Sequence, residues 1–402
     1  MKRLYSYLRI AILVLLVLLI TMSSHPVIVA RSHNVGFENG TILSRYIVLV
    51  FALLFLLCLN VRSFWESPFI RKSILLLFLV FFAYLCTFSF FDSNEMYGDI
   101  RAIVICLIAV MIGWQLDLSR NYFIFIVLLF SALTVFVGLM QIRTNIGGFV
   151  IEDQYLTQHK NALGAMLATS LIIFILVFIN TKRTHWWRWL FVGMAVLTFV
   201  VMLTTRARSA VLASIIVSLF IFYLKNKKAG RNFLVYIVMI CALVGLIILI
   251  LPSGAKDFIY SSFTQNQGDD ITSGRMWRNI AAIDFILEHP LFGNLNQGYH
   301  IAQIHNFPLI TMYKYGLLFA LPIMIIYIMI VVYAVKKSIQ YKHFGVYSIG
   351  FITMLVPYII SMAEPTMPFG PGTAMIFNFL LFGIALRQTF NTHDTDVTCR
   401  PQ

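Results

Sequence analysis

Apolar residues run through this chain in long blocks broken by short polar connections. Twelve such blocks stand out, at roughly 8–22, 45–61, 73–91, 100–116, 122–142, 161–180, 187–204, 208–224, 232–251, 307–335, 345–362 and 372–388. A helix of about 20 apolar residues crosses a hydrocarbon core of about 30 Å, and most of the blocks approach that length. The pattern predicts an all-α integral membrane protein of about twelve transmembrane helices. Residues 1–251 would form spans one to nine, 252–306 a long polar loop, 307–388 spans ten to twelve, and 389–402 a tail. The tenth block is long enough to tilt or to extend past the bilayer. The N-terminal segment MKRLYSYLRIAILVLLVLLI has the basic start and apolar centre of a signal peptide. PVIVARS after it lacks an A-x-A cleavage pattern, so a first membrane helix that orients the chain is the better reading.

Composition agrees and adds an orientation. Of 402 residues, 60% are hydrophobic and 11% charged, against about 45–50% and about 25% in soluble domains. The net charge of +14 raises the question of nucleic acid until the charges are placed. With the N-terminus inside, the inner segments hold 19 of the 30 basic residues and four of the 16 acids, about +15, and the outer side is about −1. Runs such as KNKKAGR and KKSIQYK alternate with outer loops such as FDSNEMYGD. Basic residues gather in cytoplasmic loops, so the charge is an orientation signal for a chain with both ends inside, and no nucleic-acid partner is implied. The five cysteines make neither a disulfide framework nor a CxxC pattern.

One outer segment differs from the others. More than fifty residues lie between the ninth and tenth blocks, and loops of that length are usually functional or disordered. RMWRNIAAIDFILEH reads as a helix, with Met276, Ile280, Ile283 and Leu287 on one stripe, Arg275, Arg278 and Asn279 grouped elsewhere, and Pro290 and Gly293 ending it. Such a helix is expected to lie on the outer membrane surface, apolar side down.

Candidate chemistry collects on that outer side. Helices running inward present their N-termini there, with free N–H groups and partial positive charge. The sixth begins at QHKNA with His159 and Lys160, the eighth at TTRARSA with Arg206 and Arg208, and the tenth at HNFPL with His305 and Asn306. Guanidinium forks beside helix N-termini favour a polyanion such as phosphate. The competing explanation is lipid-headgroup contact, or pairing with Asp269, Asp270, Asp284, Glu288 or Glu364. His305 is a candidate general base, since a helix N-terminus favours neutral imidazole; its bland alternative is a structural hydrogen bond, and His289 and His300 are weaker candidates. Ala210, Ser214 and Ser218 form a small-residue stripe better suited to helix packing than to a ligand. No metal spacing, phosphate-cradling glycine loop or serine elbow is present.

Three pieces resemble the bacterial O-antigen ligases and the related O-antigen and exopolysaccharide polymerases. TTRARSAVLA is similar to a helix start S-R-x-x-x-L-A, with Arg208 as the arginine and Ala207 where serine is common. GRMWRNIAAIDFILEHPLFGNLNQG resembles a motif of arginine, helix and P-[LI]-x-G turn, which puts the second family arginine on Arg275. HNFPLITMYKYGLLF resembles H-N, nine residues, Gly: His305, Asn306, Gly316. Two features lean towards polymerases: QHKNALGAML resembles an H-K-N segment met more often there, and Phe319 stands where ligases have something smaller. The resemblance implies a metal-independent, inverting glycosyltransferase without cofactor, in the bacterial inner membrane with its site facing the periplasm. Its donor would be a glycan on undecaprenyl pyrophosphate, and its acceptor lipid A-core or another lipid-linked glycan. Arg208 and Arg275 would hold the pyrophosphate and His305 would orient or deprotonate the acceptor, with Arg206, Arg278, His159, Lys160 and Asn306 in support. A rival of another class is a twelve-span transporter or flippase, expected to show repeats, broken spans and mid-membrane charges.

Overall fold

The structure, a computed structural model, describes residues 2–25, 42–146, 154–181, 184–205, 207–225, 275–295, 304–340, 345–370 and 374–398. Fourteen helices and no strand occur among the described residues. They are α1 (Lys2–Met22), α2 (Ile42–Cys58), α3 (Val61–Glu66), α4 (Pro68–Phe91), α5 (Glu95–Gln115), α6 (Arg120–Ile146) and α7 (Gln154–Asn180). After these come α8 (Arg188–Thr204), α9 (Arg208–Lys225), α10 (Arg275–Glu288), α11 (Phe307–Gln340), α12 (Ser348–Thr353), α13 (Leu355–Ile360) and α14 (Ile376–Thr398). Seven of them are long and apolar enough to cross a membrane, and four further apolar stretches are shorter. Eleven of the twelve apolar blocks thus fall on helices; the ninth, 232–251, lies outside the described residues.

Residues are sorted by how far they sit from the periphery. The apolar stretch of α7 is 83% buried within the protein, that of α4 only 17%. α4 turns Phe78, Phe81, Phe82, Phe88 and Phe90 outward, as a lipid-facing helix does. α14 is buried through Leu386 and packs most closely on α5. There Gly113 and Gly383 bring backbones together: a Cβ on Gly113 would meet Leu380 O, and one on Gly383 would meet Val110 O. Small residues serve this purpose where both helix and lipid are apolar and close packing decides association. Phe130 and Phe377, stacked at 3.9 Å, link α6 to α14.

The tenth block is one apolar run but two helical pieces. At Gly316 α11 breaks, with φ 63° and ψ 175°, a conformation open essentially to glycine alone. A turn after α10 fills the break. Leu317 N donates to Pro290 O (2.7 Å), Leu318 N to Leu291 O (3.2 Å), and Asn294 N to Tyr313 O (2.9 Å). The backbone groups that lose their helical partners at the break are thus bonded by that turn, the condition for a broken helix in apolar surroundings. Gly293, at φ 55°, sits against Gly316: a Cβ on either would collide with the other's backbone nitrogen. From Leu317 to Gln340 there remain 24 helical residues, about 36 Å at 1.5 Å per residue, enough to span the bilayer alone.

Candidate functional site

The short segment Ser361–Glu364, just past α13, gathers three other parts of the chain. Phe307 N donates to Ser361 O (2.9 Å), and Asn306 Nδ2 to Met362 O (3.2 Å). Arg275 Nη1 donates to Ala363 O (2.9 Å), with Nη2 3.5 Å from Glu364 Oε1. From the other side Asn161 Nδ2 of α7 donates to Glu364 Oε2 (2.9 Å). Glu364 is buried, 5% exposed, and both its oxygens are engaged.

The same contacts bring the N-terminal ends of α7, α9 and α11 to one end of the bundle. Asn161 and the Asn306–Phe307 start of α11 meet on the segment itself. Ala207, immediately before α9, packs so closely on Gly164 that a Cβ on that glycine would collide with the alanine methyl. Gly164 lies one helical turn below Asn161, so Arg208 stands at this end too, half-buried. Ala210, Ser214 and Ser218 are buried on α9, which packs against α7 and α13. The small-residue stripe therefore serves helix packing. Arg206 lies outside the described residues, as do the side chains of His159 and Lys160; α7 begins at Gln154, so these two residues lie in its second turn and not at its start as the sequence suggested.

His305 is fixed from both flanks. Ile304 before it packs with Ala282 and Phe285 of α10 and Tyr313 of α11 in a small separate core, with the rings of Phe285 and Tyr313 4.9 Å apart. Asn306 after it caps α11, accepting from Leu309 N through Oδ1 (3.0 Å), as N-cap asparagines do. Burial, and then the charges of Arg275 and Arg278, pull the His305 pKa from 6.5 down to about 4. The imidazole is therefore neutral at physiological pH, the form a general base needs. Its Nδ1 is buried and has no hydrogen-bond partner among the described residues. His289, by contrast, lies with its ring 4.7 Å from Phe285; His300 and Asp269–Asp270 fall outside the described residues. No group of three metal-ligating side chains occurs among the described residues.

α10 has the two faces expected of it, arranged in a particular way. Ala282 and Phe285 pack inward, whereas Met276, Trp277, Ile280, Ile283 and Leu287 are exposed. Arg275 and Arg278 are half-buried, close enough to act on His305. Among the described acids open to Arg275 on the sequence, it meets Glu364.

Residues 193–320 match the family model described as O-antigen ligase. That stretch is similar to the O-antigen ligase family. It is about a third of the chain and holds Arg208, Arg275, Arg278, His305, Asn306 and the Gly293–Gly316 contact. No curated protein matches the chain. Together with the apolar helices, the family segment marks a multi-pass membrane protein. Asn161 and Glu364, which hold Arg275 in place, lie outside the matched stretch.

Proposed function

We propose that this chain is an O-antigen ligase-type glycosyltransferase, moving a glycan from undecaprenyl pyrophosphate to a hydroxyl of lipid A-core on the periplasmic face of the inner membrane. The observation that carries the reading is the gathering of Arg208, Arg275, Arg278 and a neutral His305 beside the starts of α9 and α11 and the second turn of α7, at one end of an apolar bundle. Helix N-termini and guanidinium groups both favour anions; Glu364 brings a single charge to Arg275, and a lipid diphosphate is a polyanion that suits the cluster as a whole. The charge bias along the sequence puts this end outside, in a twelve-span, N-in and C-in arrangement with 252–306 as the periplasmic loop.

In this reading Arg208 and Arg275 hold the diphosphate. The acceptor oxygen attacks the anomeric carbon from the face opposite the leaving group and its proton passes to His305. The bond from anomeric carbon to phosphate oxygen breaks, and the charge left on the lipid diphosphate is balanced by the guanidinium groups. A polymerase, with a second lipid-linked glycan as acceptor, is the other reading. Two observations favour it: Asn161 of the H-K-N segment is part of the site, and Phe319 is buried against Phe91 and Phe292 below the turn. The broken helix does not favour a transporter, because the groups freed at Gly316 bond within the chain.

His305→Ala in the purified, folded chain is expected to abolish transfer from a lipid-linked donor; full transfer by that variant rejects the reading. Deleting the gene distinguishes the acceptors. Lipid A-core without any glycan, with lipid-linked polymer still made, means ligase; a single repeat unit left on the core means polymerase.

A further inference from the structure

We propose that Glu364, held by Asn161, is the positioning residue that aims the Arg275 guanidinium at the donor diphosphate. This rests on the reading above that Arg275 binds that group. Three observations converge on it. The carboxylate is buried, and its two oxygens serve different helices, Oε1 facing Arg275 at 3.5 Å and Oε2 accepting from Asn161 at 2.9 Å. Arg275 meets two acceptors from one short stretch, Ala363 O at 2.9 Å and Glu364, so two of its nitrogens face the segment. Its side chain remains 36% exposed. The segment also receives Asn306 and Phe307 on either side of a single peptide bond. The spacing between Arg275 and His305 is therefore set by residues 361–364 rather than by the loop that carries Arg275.

A long arginine side chain samples many rotamers, and a planar fork loses less on binding when it is already oriented. A carboxylate behind the guanidinium supplies that orientation. At 3.5 Å the pair is loose, and the guanidinium stays partly open to a diphosphate while the carboxylate behind it is buried. Asn161 fixes the carboxylate in turn, which ties the aim of Arg275 to α7.

The test is a double-mutant cycle on the full chain in lipid nanodiscs, read as the affinity for undecaprenyl pyrophosphate without glycan and as kcat and KM for transfer. Glu364→Gln is expected to weaken lipid binding about tenfold, with Glu364→Asp recovering part of it. In an Arg275→Gln background the same Glu364→Gln change adds less than about twofold, because residues that act through one another are not additive. Effects that multiply in both backgrounds overturn the proposal, as does Glu364→Gln binding the lipid at full strength. If Glu364→Gln fails to fold, Asn161→Ala takes its place in the cycle under the same two criteria. An Arg275→Gln variant that binds the lipid as tightly as the natural chain overturns the function reading itself. Weak binding by Arg275→Gln beside full-strength Glu364→Gln overturns the positioning role alone.

Discussion

Both ends of the helix bundle carry arginines, but they are held in opposite ways. At one end Arg9 donates through Nε and Nη2 to Leu57 O, at 3.1 and 2.7 Å, and so caps the C-terminus of α2. Arg188 lies 4.3 Å above the ring of Phe178, near the C-terminus of α7. Arg387 lies 5.3 Å above Trp114, near the C-terminus of α5, and 3.5 Å from Glu66. Arg9 and Arg387 complete helix dipoles at C-termini, and Arg188, although it begins α8, stacks on a ring. At the other end Arg208 and Arg275 begin helices, and His305 precedes one. The helix dipole opposes a cation at each of these places. Arg188 also begins a helix, α8, and is matched by the ring of Phe178, as Arg275 is by Glu364; what sets the second end apart is that two helix-starting arginines gather there beside a neutral histidine.

The sharpest way to break this contrast is to remove the joint that shapes the second end. Gly316→Ala puts a Cβ into the backbone of Leu291 and Gly293 at a φ of 63°. A loss of about 3 kcal/mol or more is expected from strain and overlap together, read as a large fall in folded yield and thermal stability in detergent. Gly98→Ala, where a Cβ meets nothing within 4 Å, should leave stability close to that of the natural chain. Next in size, Arg208→Gln and Arg275→Gln should each lower the transfer rate by about 10²–10³, the scale for losing one donor to developing negative charge. Arg9→Gln, at the dipole-satisfied end, should keep transfer within about twofold. Equal losses at both ends would dissolve the distinction.

How much of this could be read from sequence follows from the range of the interactions. Eleven of the twelve apolar blocks are helical, and α10 runs Arg275–Glu288 with its turn at Pro290–Gly293, because hydropathy and helix stops are local signals. His305, Asn306 and Gly316 were visible as a spacing, but the reason for the glycine was not. It lies in a contact with Gly293, on another element, and the tenth block reads as unbroken because all but a few of its residues are apolar. The convergence of helix starts depends on packing between α7, α9 and α13, which no local pattern encodes. Asn161 and Glu364 are 203 positions apart in the chain. One signal for Glu364 was available: it is the only acid between Glu288 and Asp394. A buried carboxylate in so apolar a stretch needs a partner, and that argument could have singled it out.

A smaller effect separates the ends by pH. The unfolded chain takes up the His305 proton near 6.5 and the folded chain only near 4. Between those values the unfolded state binds more protons, so stability should rise from pH 4 to 6.5 and be lost as pH falls through that window. His305→Gln should flatten that part of the thermal-stability profile. If His305 is the base, the acid limb of kcat/KM should sit near pH 4 rather than 6.5.

The smallest effect belongs to the cation whose position the fold explains most completely. Arg387 is about one-third exposed and meets Glu66, which is more exposed still, at 3.5 Å. A pair so open to solvent contributes about 0.2–1 kcal/mol, and the ring of Trp114 beneath it about 0.5–1 kcal/mol more. Arg387→Gln should therefore lower stability by about 1 kcal/mol, with Arg387→Lys recovering most of the loss, while lipid diphosphate binding and turnover stay unchanged. Titrating salt refines the comparison. The Glu66 contact should weaken as ionic strength rises, because exposed charges are screened over about 8–10 Å. The Arg275–Glu364 pair, with its carboxylate buried, should respond less. If Arg387→Gln were instead to impair donor binding, charge at the two ends would be coupled through the bundle, and the end at which a cation sits would no longer sort structural cations from functional ones.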